Sequence, residues 1–336
     1  MNRRILLPLH LTKDQGKLVY KKENQAKLEA EPIEITLGDV TLPLEHLDVN
    51  RDIPSRWQSI KSIVNLSKTQ DDWENVLRIM EGFQNASAPM KTQWKQFIVR
   101  RMSIAGQHHL ILKAVQKASD TGLRLSDVAL ANTVFQTIHW KALESEWNPK
   151  ETKKALDLAE ELVELLEDDR HLGKKDVSIG DIRASPYTIA IPLEMAAVRA
   201  KRHTDVQDTD GKVSLYASRF MQATQQDEFL TKTLPDHLAR ISAPIEAKPK
   251  LIHTAQSVIN LKGGIQSMIP VWIAVKTARH VLRKDMPLDS DAQKMEEEMA
   301  AALKAGEQSL NDALKISGIT DMEGVIPKHM RLAEVA

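Results

Sequence analysis

An all-α fold, a solenoid of stacked helix pairs, is what this 336-residue sequence predicts, and three observations predict it. The first is a period. Arg56–Met90 and Lys91–Leu125 are each 35 residues long, and superposing them sets Ile63 on Ile98, Val64 on Val99, Val76 on Ile111, Leu77 on Leu112 and Met80 on Val115. The second is the spacing inside each unit, where apolar residues return at three- and four-residue steps twice, with breaks at Ser67–Asp71 and Ala105–His108; this is the pattern of two amphipathic helices. The third is composition: aromatics are only 4%, and Ala, Leu, Lys, Glu and Gln fill most windows, as helices prefer. One helix pair cannot bury its apolar face alone, so copies at this period stack over a continuous core.

Residues 1–55 read as a basic tail and an extended arm. Met1–Leu11 carries Arg3 and Arg4 with no acid before Asp14, which fits a mitochondrial presequence and fits a plain basic tail equally. In Pro32–Val49, Ile33, Ile35 and Leu37 alternate with polar residues before Gly38-Asp39. That is a hairpin signal, but two strands alone are marginal, so an arm laid over the rest is expected. Pro54-Ser55 then opens the first repeat helix. A third unit starts at Ser126, with one helix over about Asp127–Trp140 and, after Trp147-Asn148-Pro149, another over Lys150–Glu167.

SDVALANTVFQTIH (Ser126–His139), followed by KETKKALDLAEELVEL (Lys150–Leu165) and preceded by KASDTGLRL (Lys117–Leu125), resembles a degenerate pentatricopeptide repeat. The likeness covers about 110 residues. The family's usual Pro is replaced by Leu125-Ser126 and its usual aromatic by Leu130, and tetratricopeptide repeats compete as a label. The resemblance implies a right-handed α-solenoid, a mitochondrial setting and RNA on the inner face. It also implies that first-helix side chains meet bases, which falls here on Ser62, Phe97 and Asn132.

Beyond a polar connector at Asp168–Ser185, helices are expected over Pro186–Arg202 with a kink at Pro192, Val213–Gln222, Glu228–Ile241, Lys250–Leu261, Ile265–Lys284 and Asp291–Ile316. Gly263-Gly264 reads as a stop between the fourth and fifth, Pro270 as an interruption of the fifth, and the last as a cap closing the stack. The chain thus divides into an N-terminal tail and arm (1–55), a helical-repeat region (56–184) and a C-terminal helical region (185–336).

Formal charge is zero, with 46 basic and 46 acidic residues, yet the charge is segregated. Residues 91–125 hold seven Lys/Arg and one Asp/Glu, and residues 238–284 hold eight and one; residues 126–182 hold seven and thirteen, and residues 285–336 hold five and eleven. The basic blocks nominate Lys91, Lys95, Arg100 and Arg101, then Lys276, Arg279, Arg283 and Lys284, as RNA contacts beside the three first-helix residues.

Chemistry is hard to place. With no cysteine, disulfides, Cys-based zinc sites, iron–sulfur clusters and thiol nucleophiles are excluded. No phosphate loop, dinucleotide fingerprint, nucleophile elbow or His-Glu-x-x-His occurs, and Asp208-x-Asp210-Gly211 fails as a calcium loop because Val206 and Ala217 stand where carboxylate ligands are needed. No catalytic, cofactor or metal residue is nominated. No run of 18 apolar residues exists, so no transmembrane segment is expected. What the resemblance implies is a non-catalytic protein of mitochondrial gene expression in the matrix, a peripheral component of the mitochondrial ribosome or a ribosome- or RNA-associated factor, touching ribosomal proteins or RNA; a protein-only scaffold or assembly factor is the alternative.

Overall fold

The computed structural model describes residues 2–37, 40–49, 51–173, 180–226, 228–245, 251–317 and 325–336. Helix accounts for 75% of it, and the strands among the described residues form a single two-stranded hairpin. The chain falls into two compact units, Met1–Arg124 and Leu125–Ala336.

The first unit begins with a π-turn over Asn2–Leu6, α1 (Leu7–His10), α2 (Lys13–Tyr20) and α3 (Gln25–Ala30). A capping box starts α2: Thr12 Oγ1 accepts from the Gln15 N–H, and Gln15 Oε1 accepts from the Thr12 N–H. Strands β1 (Glu34–Leu37) and β2 (Val40–Pro43) then pair antiparallel with Ile35 opposite Leu42. The expected turn residues Gly38-Asp39 lie outside the described residues. The extended arm is therefore corrected to short helices and a hairpin. The hairpin is not alone, because Val19 of α2, Leu28 of α3 and Leu44 make a small core against which Leu11, Tyr20, Ile35 and Leu47 pack. Helices of four to eight residues show too few turns for a period to be read.

The repeat region of this unit holds α4 (Arg56–Leu66), α5 (Gln70–Asn85), α6 (Thr92–Ile104), α7 (His108–Gln116) and α8 (Ala118–Thr121). Helix α4 packs on α5 and α6, and α7 on α5 and α6. Three of the five equivalent pairs read from the 35-residue period share their burial: Val64 and Val99, Val76 and Ile111, and Met80 and Val115 are all 3% exposed or less, whereas Ile63 and Leu112 are half-buried where Ile98 and Leu77 are buried. Gly122 ends α8 at φ +71°, where an L side chain is disfavoured.

The second unit opens with α9 (Val128–Glu144), capped by Asp127, and α10 (Pro149–Leu165), capped by Asn148 with Pro149 in its first turn. At its centre, α11 (Pro186–His203) packs against α9, α10, α12 (Lys212–Thr224) and α14 (Leu251–Leu282). Helix α11 runs on through Pro192, which is buried. The Asp208–Gly211 loop caps α12, Asp208 accepting from the Val213 and Ser214 N–H groups, while Asp210 pairs with Arg199. A π-turn over Phe229–Thr233 leads into α13 (Leu234–Ser242), which carries Pro235 in its first turn.

The largest departure from expectation is α14 (Leu251–Leu282), one helix of 32 residues that passes through Gly263, Gly264 and Pro270. Gly264 stops nothing, because its role is close approach: a Cβ there would lie 2.8 Å from Ile241 Cγ2 of α13. Full burial of Ile265, Met268, Ile269, Ile273 and Val275 outweighs the helix penalties of about 1 kcal/mol per glycine and about 3 kcal/mol for proline. Ala255–Asp285 is long and apolar enough to cross a membrane by length and composition, but 61% of its most apolar window is buried within the unit. The chain continues as α15 (Asp289–Ser317), which packs on α13 and α14, and α16 (Val325–Glu334), which packs on α9 and α14.

Gly306 of α15 sits under the same crossing, where a Cβ would stand 2.6 Å from the Ile241 carbonyl oxygen. Gly306→Ala is expected to cost about 1–3 kcal/mol from overpacking, against about 1 kcal/mol of improved helix propensity. A lowered melting temperature is the predicted readout; an unchanged or raised one would show that α13 yields freely.

Candidate functional site

In the first unit, Ser62, Lys91, Arg100 and Arg101 are exposed on α4 and α6. Lys95 is committed inward, its Nζ donating to the Gly122 carbonyl at 2.7 Å. Phe97 is half-buried and lies edge-on to Trp57 with ring centroids 5.2 Å apart, while Trp57 stacks on Trp94 at 5.5 Å. The three rings tie α4 to α6, as the three- and four-residue steps from Trp94 to Ile98 suggest. Asn132, half-buried on α9, belongs to the second unit.

The second unit brings four of the expected residues together. Lys276 and Arg279 of α14, with His280 and the following Arg283 and Lys284, line a cleft of about 540 Å³ whose other walls are Lys201 of α11 and Asp289 and Glu296 of α15. Their chain positions explain the convergence: 276 and 279 are one helical step of three apart on α14, which brings them to one face, and Arg283 and Lys284 follow directly after its end. Lys201, 75 positions earlier, comes from a different helix and has no sequence signal linking it to the others.

Within the cleft, Arg279 is clamped by Asp289 at 2.7 Å and Glu296 at 2.6 Å, and the hydrogen bond it donates to Asp289 holds its guanidinium pKa up. Lys276 lies over the Trp272 ring, 4.8 Å from its centroid, and donates to the Glu334 carbonyl at 2.8 Å and the Ala333 carbonyl at 3.3 Å. Lys201 donates to the Ala336 carbonyl, and Arg202 to that of Val335. Burial, then the charge of Lys201, depresses the Lys276 pKa; burial, then Arg202, depresses that of Lys201. His280, Arg283 and Lys284 are exposed at the rim and make no ion pair among the described residues. Arg283 stands at φ +53°, a conformation that glycine usually supplies.

A second polar cluster lies deep under α16. His139 of α9 and Glu194 of α11 are both fully buried with Nδ1 and Oε1 2.7 Å apart, and burial pushes the Glu194 carboxyl up. Trp147, also fully buried, donates through Nε1 to the Leu332 carbonyl at 2.9 Å. His329 of α16 packs against Trp140 at 4.6 Å and pairs with Glu144 at 3.5 Å. Sealed from solvent, the His139–Glu194 pair joins two helices and reaches no substrate. Sequence reading missed it, since 55 positions separate its members.

A chain whose charge changes sign block by block, with five Lys/Arg side chains lining one cleft of its second unit, suits assembly with polyanions and proteins. The family profile described as Mitochondrial ribosomal protein mS27 matches residues 1–324. The chain belongs to that family. A relative from Neurospora crassa, described as small ribosomal subunit protein mS27, is 23% identical over 270 residues, covering 75% of this chain and 68% of its own. As an mS27-family member the chain is a component of the mitochondrial ribosome in the matrix, as its sequence led us to expect, with ribosomal proteins and RNA as partners. The matching profile is that of mS27, and the pentatricopeptide resemblance adds only a reading of its helix pairs.

Proposed function

We propose that the chain is a non-catalytic component of the small subunit of the mitochondrial ribosome, holding RNA with its basic faces and neighbouring proteins with its acidic ones. The observation that carries this is the mS27 match over residues 1–324, together with the small-subunit description of the Neurospora crassa relative. The stacked helix pairs α4/α5 and α6/α7 support a pentatricopeptide-type right-handed solenoid as the frame of the first unit. Arg100 and Arg101 on α6 and Arg283 and Lys284 beyond α14 are its candidate phosphate contacts, and Ser62 and Asn132 its candidate base contacts.

The test is sedimentation of tagged protein from mitochondrial lysate under low-magnesium conditions that separate the subunits. Recovery with the small subunit is expected; recovery only as free protein, or with the large subunit, would overturn the proposal. Nuclease treatment then weighs RNA contact against the protein-only scaffold, because a chain held through RNA is released and one held by proteins stays with them.

A further inference from the structure

Four sequence-nominated cations and one that only the fold supplies meet in the α14/α15 cleft, and the bookkeeping of charge there is uneven. Five Lys/Arg side chains face two carboxylates, and both carboxylates are taken by Arg279. The last turns of α11, α14 and α16 supply Lys201, Arg279 and the Glu334 carbonyl, and three helix C-termini at about half a negative charge each, with the Glu334 carboxylate acting on Lys276, leave a small positive surplus. Lys276 donates to the Ala333 and Glu334 main-chain carbonyls, which satisfy hydrogen bonds without neutralising its charge. Arg283 and Lys284 stand at the rim, exposed.

We infer that this cleft binds the phosphodiester backbone of a single RNA strand, with Arg283 and Lys284 making first contact and Lys276 and Lys201 beneath them. The inference rests on the ribosomal reading above for its choice of polyanion. The cleft's own chemistry favours phosphate over a protein carboxylate. Planar carboxylates pair best with a bidentate guanidinium, and the one guanidinium inside is already clamped by two of them; the remaining inner cations are lysines, which act as point charges toward phosphate. At about 540 Å³ the space exceeds what one phosphate group needs and admits a short stretch of backbone. A phosphate entering here offsets the mutual repulsion that the two lysines now bear, so it binds more strongly than at an isolated surface lysine.

The experiment is fluorescence anisotropy of the full chain with a labelled single-stranded 12-nucleotide RNA across a salt series. Arg283→Gln/Lys284→Gln alters exposed residues without ion-pair partners, so the fold is expected to hold, checked by its melting curve. The expected result is a loss of affinity of about 10-fold at low salt and a fall of about 1.4 in the slope of log K against log salt, two contacts at about 0.7 each. A control with the same charge change, Lys294→Gln/Lys304→Gln on exposed positions of α15, is expected to lose less than about 2-fold. Equal losses in the two variants, or none in the first, would overturn the site. Displacement of the RNA by poly-glutamate as effectively as by unlabelled RNA of matched charge would also overturn it, in favour of an acidic protein segment. Sedimentation of the cleft variant distinguishes the two levels: unchanged RNA affinity with retained small-subunit association refutes the cleft alone, whereas a wild-type chain absent from the small subunit refutes the ribosomal placement.

Discussion

Trp147→Ala is expected to destabilise the second unit by about 3–5 kcal/mol, the range for removing a fully buried large aromatic. The side chain is 0% exposed and lies 6.4 Å from the His139 ring, so truncation opens a cavity against a polar pair that has no freedom to collapse into it. It also removes the donor to the Leu332 carbonyl and with it one tether of α16. The Trp147 backbone is itself at φ +61°, a left-handed conformation held in place by contacts, including that between its carbonyl oxygen and His203 Nε2 at 2.9 Å. Trp147→Phe keeps most of the volume and loses the indole hydrogen bond, so it is expected to cost less than half as much. Denaturant titration of both variants checks this. An alanine protein with the parent's midpoint would mean that α16 and the loop before α10 repack without the indole.

The second large effect concerns Glu194. Its carboxyl and the His139 ring are both 0% exposed, and among the described residues Glu194 Oε2 and His139 Nε2 have no hydrogen-bond partner. Burial raises the Glu194 pKa and the His139 contact opposes that only in part, so the folded state holds the proton more tightly than the unfolded chain. The stability this proton contributes is full below the ordinary glutamate pKa of about 4.3 and is lost as pH rises through the raised folded value. Glu194→Ala, leaving a buried histidine nitrogen without its partner beside a void, is expected to cost about 1–3 kcal/mol near neutral pH. Glu194→Gln keeps shape and hydrogen bonding without the titration, so its stability should match or exceed the parent's at neutral pH and lack that decline. Unfolding free energies of the three proteins between pH 4 and pH 8 decide it. A glutamine variant as unstable as the alanine one across the whole range would show that the pair needs a charged carboxylate.

The helices that sequence made legible are those with a clear apolar period, whether capped, as α5 with Thr69 and Asp72, α9 with Asp127 and α10 with Asn148 and Pro149, or with no side-chain bond from the N-cap residue itself, as α11 and α12. Gly263-Gly264 misled because local propensity counts the cost of a glycine and cannot see the helix that crosses over it, here α13 with Ile241 against Gly264. The hairpin was weighed as two lonely strands because its cover, Val19 and Leu28, comes from helices too short to announce themselves. The division at Arg124/Leu125 falls between Leu123 and Leu125, both buried, and coincides with the switch from the basic block 91–125 to the acidic block 126–182, a change of charge that by itself does not announce a break in packing. The cleft was half legible. Lys276 and Arg279 share a helix face that their spacing reveals, but Arg283 lies past the helix end, Lys201 enters from α11, and the carboxylates that occupy Arg279 come from α15.

The ties to the last residues of α16 also set an order of events in time. Trp147 reaches a carbonyl 185 positions further along, and Lys201 one that is 135 further. A chain emerging N-terminus first must wait for those residues before either closure forms, and closures of such separation are slow to find. Until then the α9 and α14 surfaces that α16 covers stay open, including the end of a stretch apolar enough to suit a lipid bilayer. The interval between arrival and closure is therefore when this unit is most exposed to aggregation, and a protein that shields apolar segments acts most usefully there, before the ribosome ever receives the finished fold.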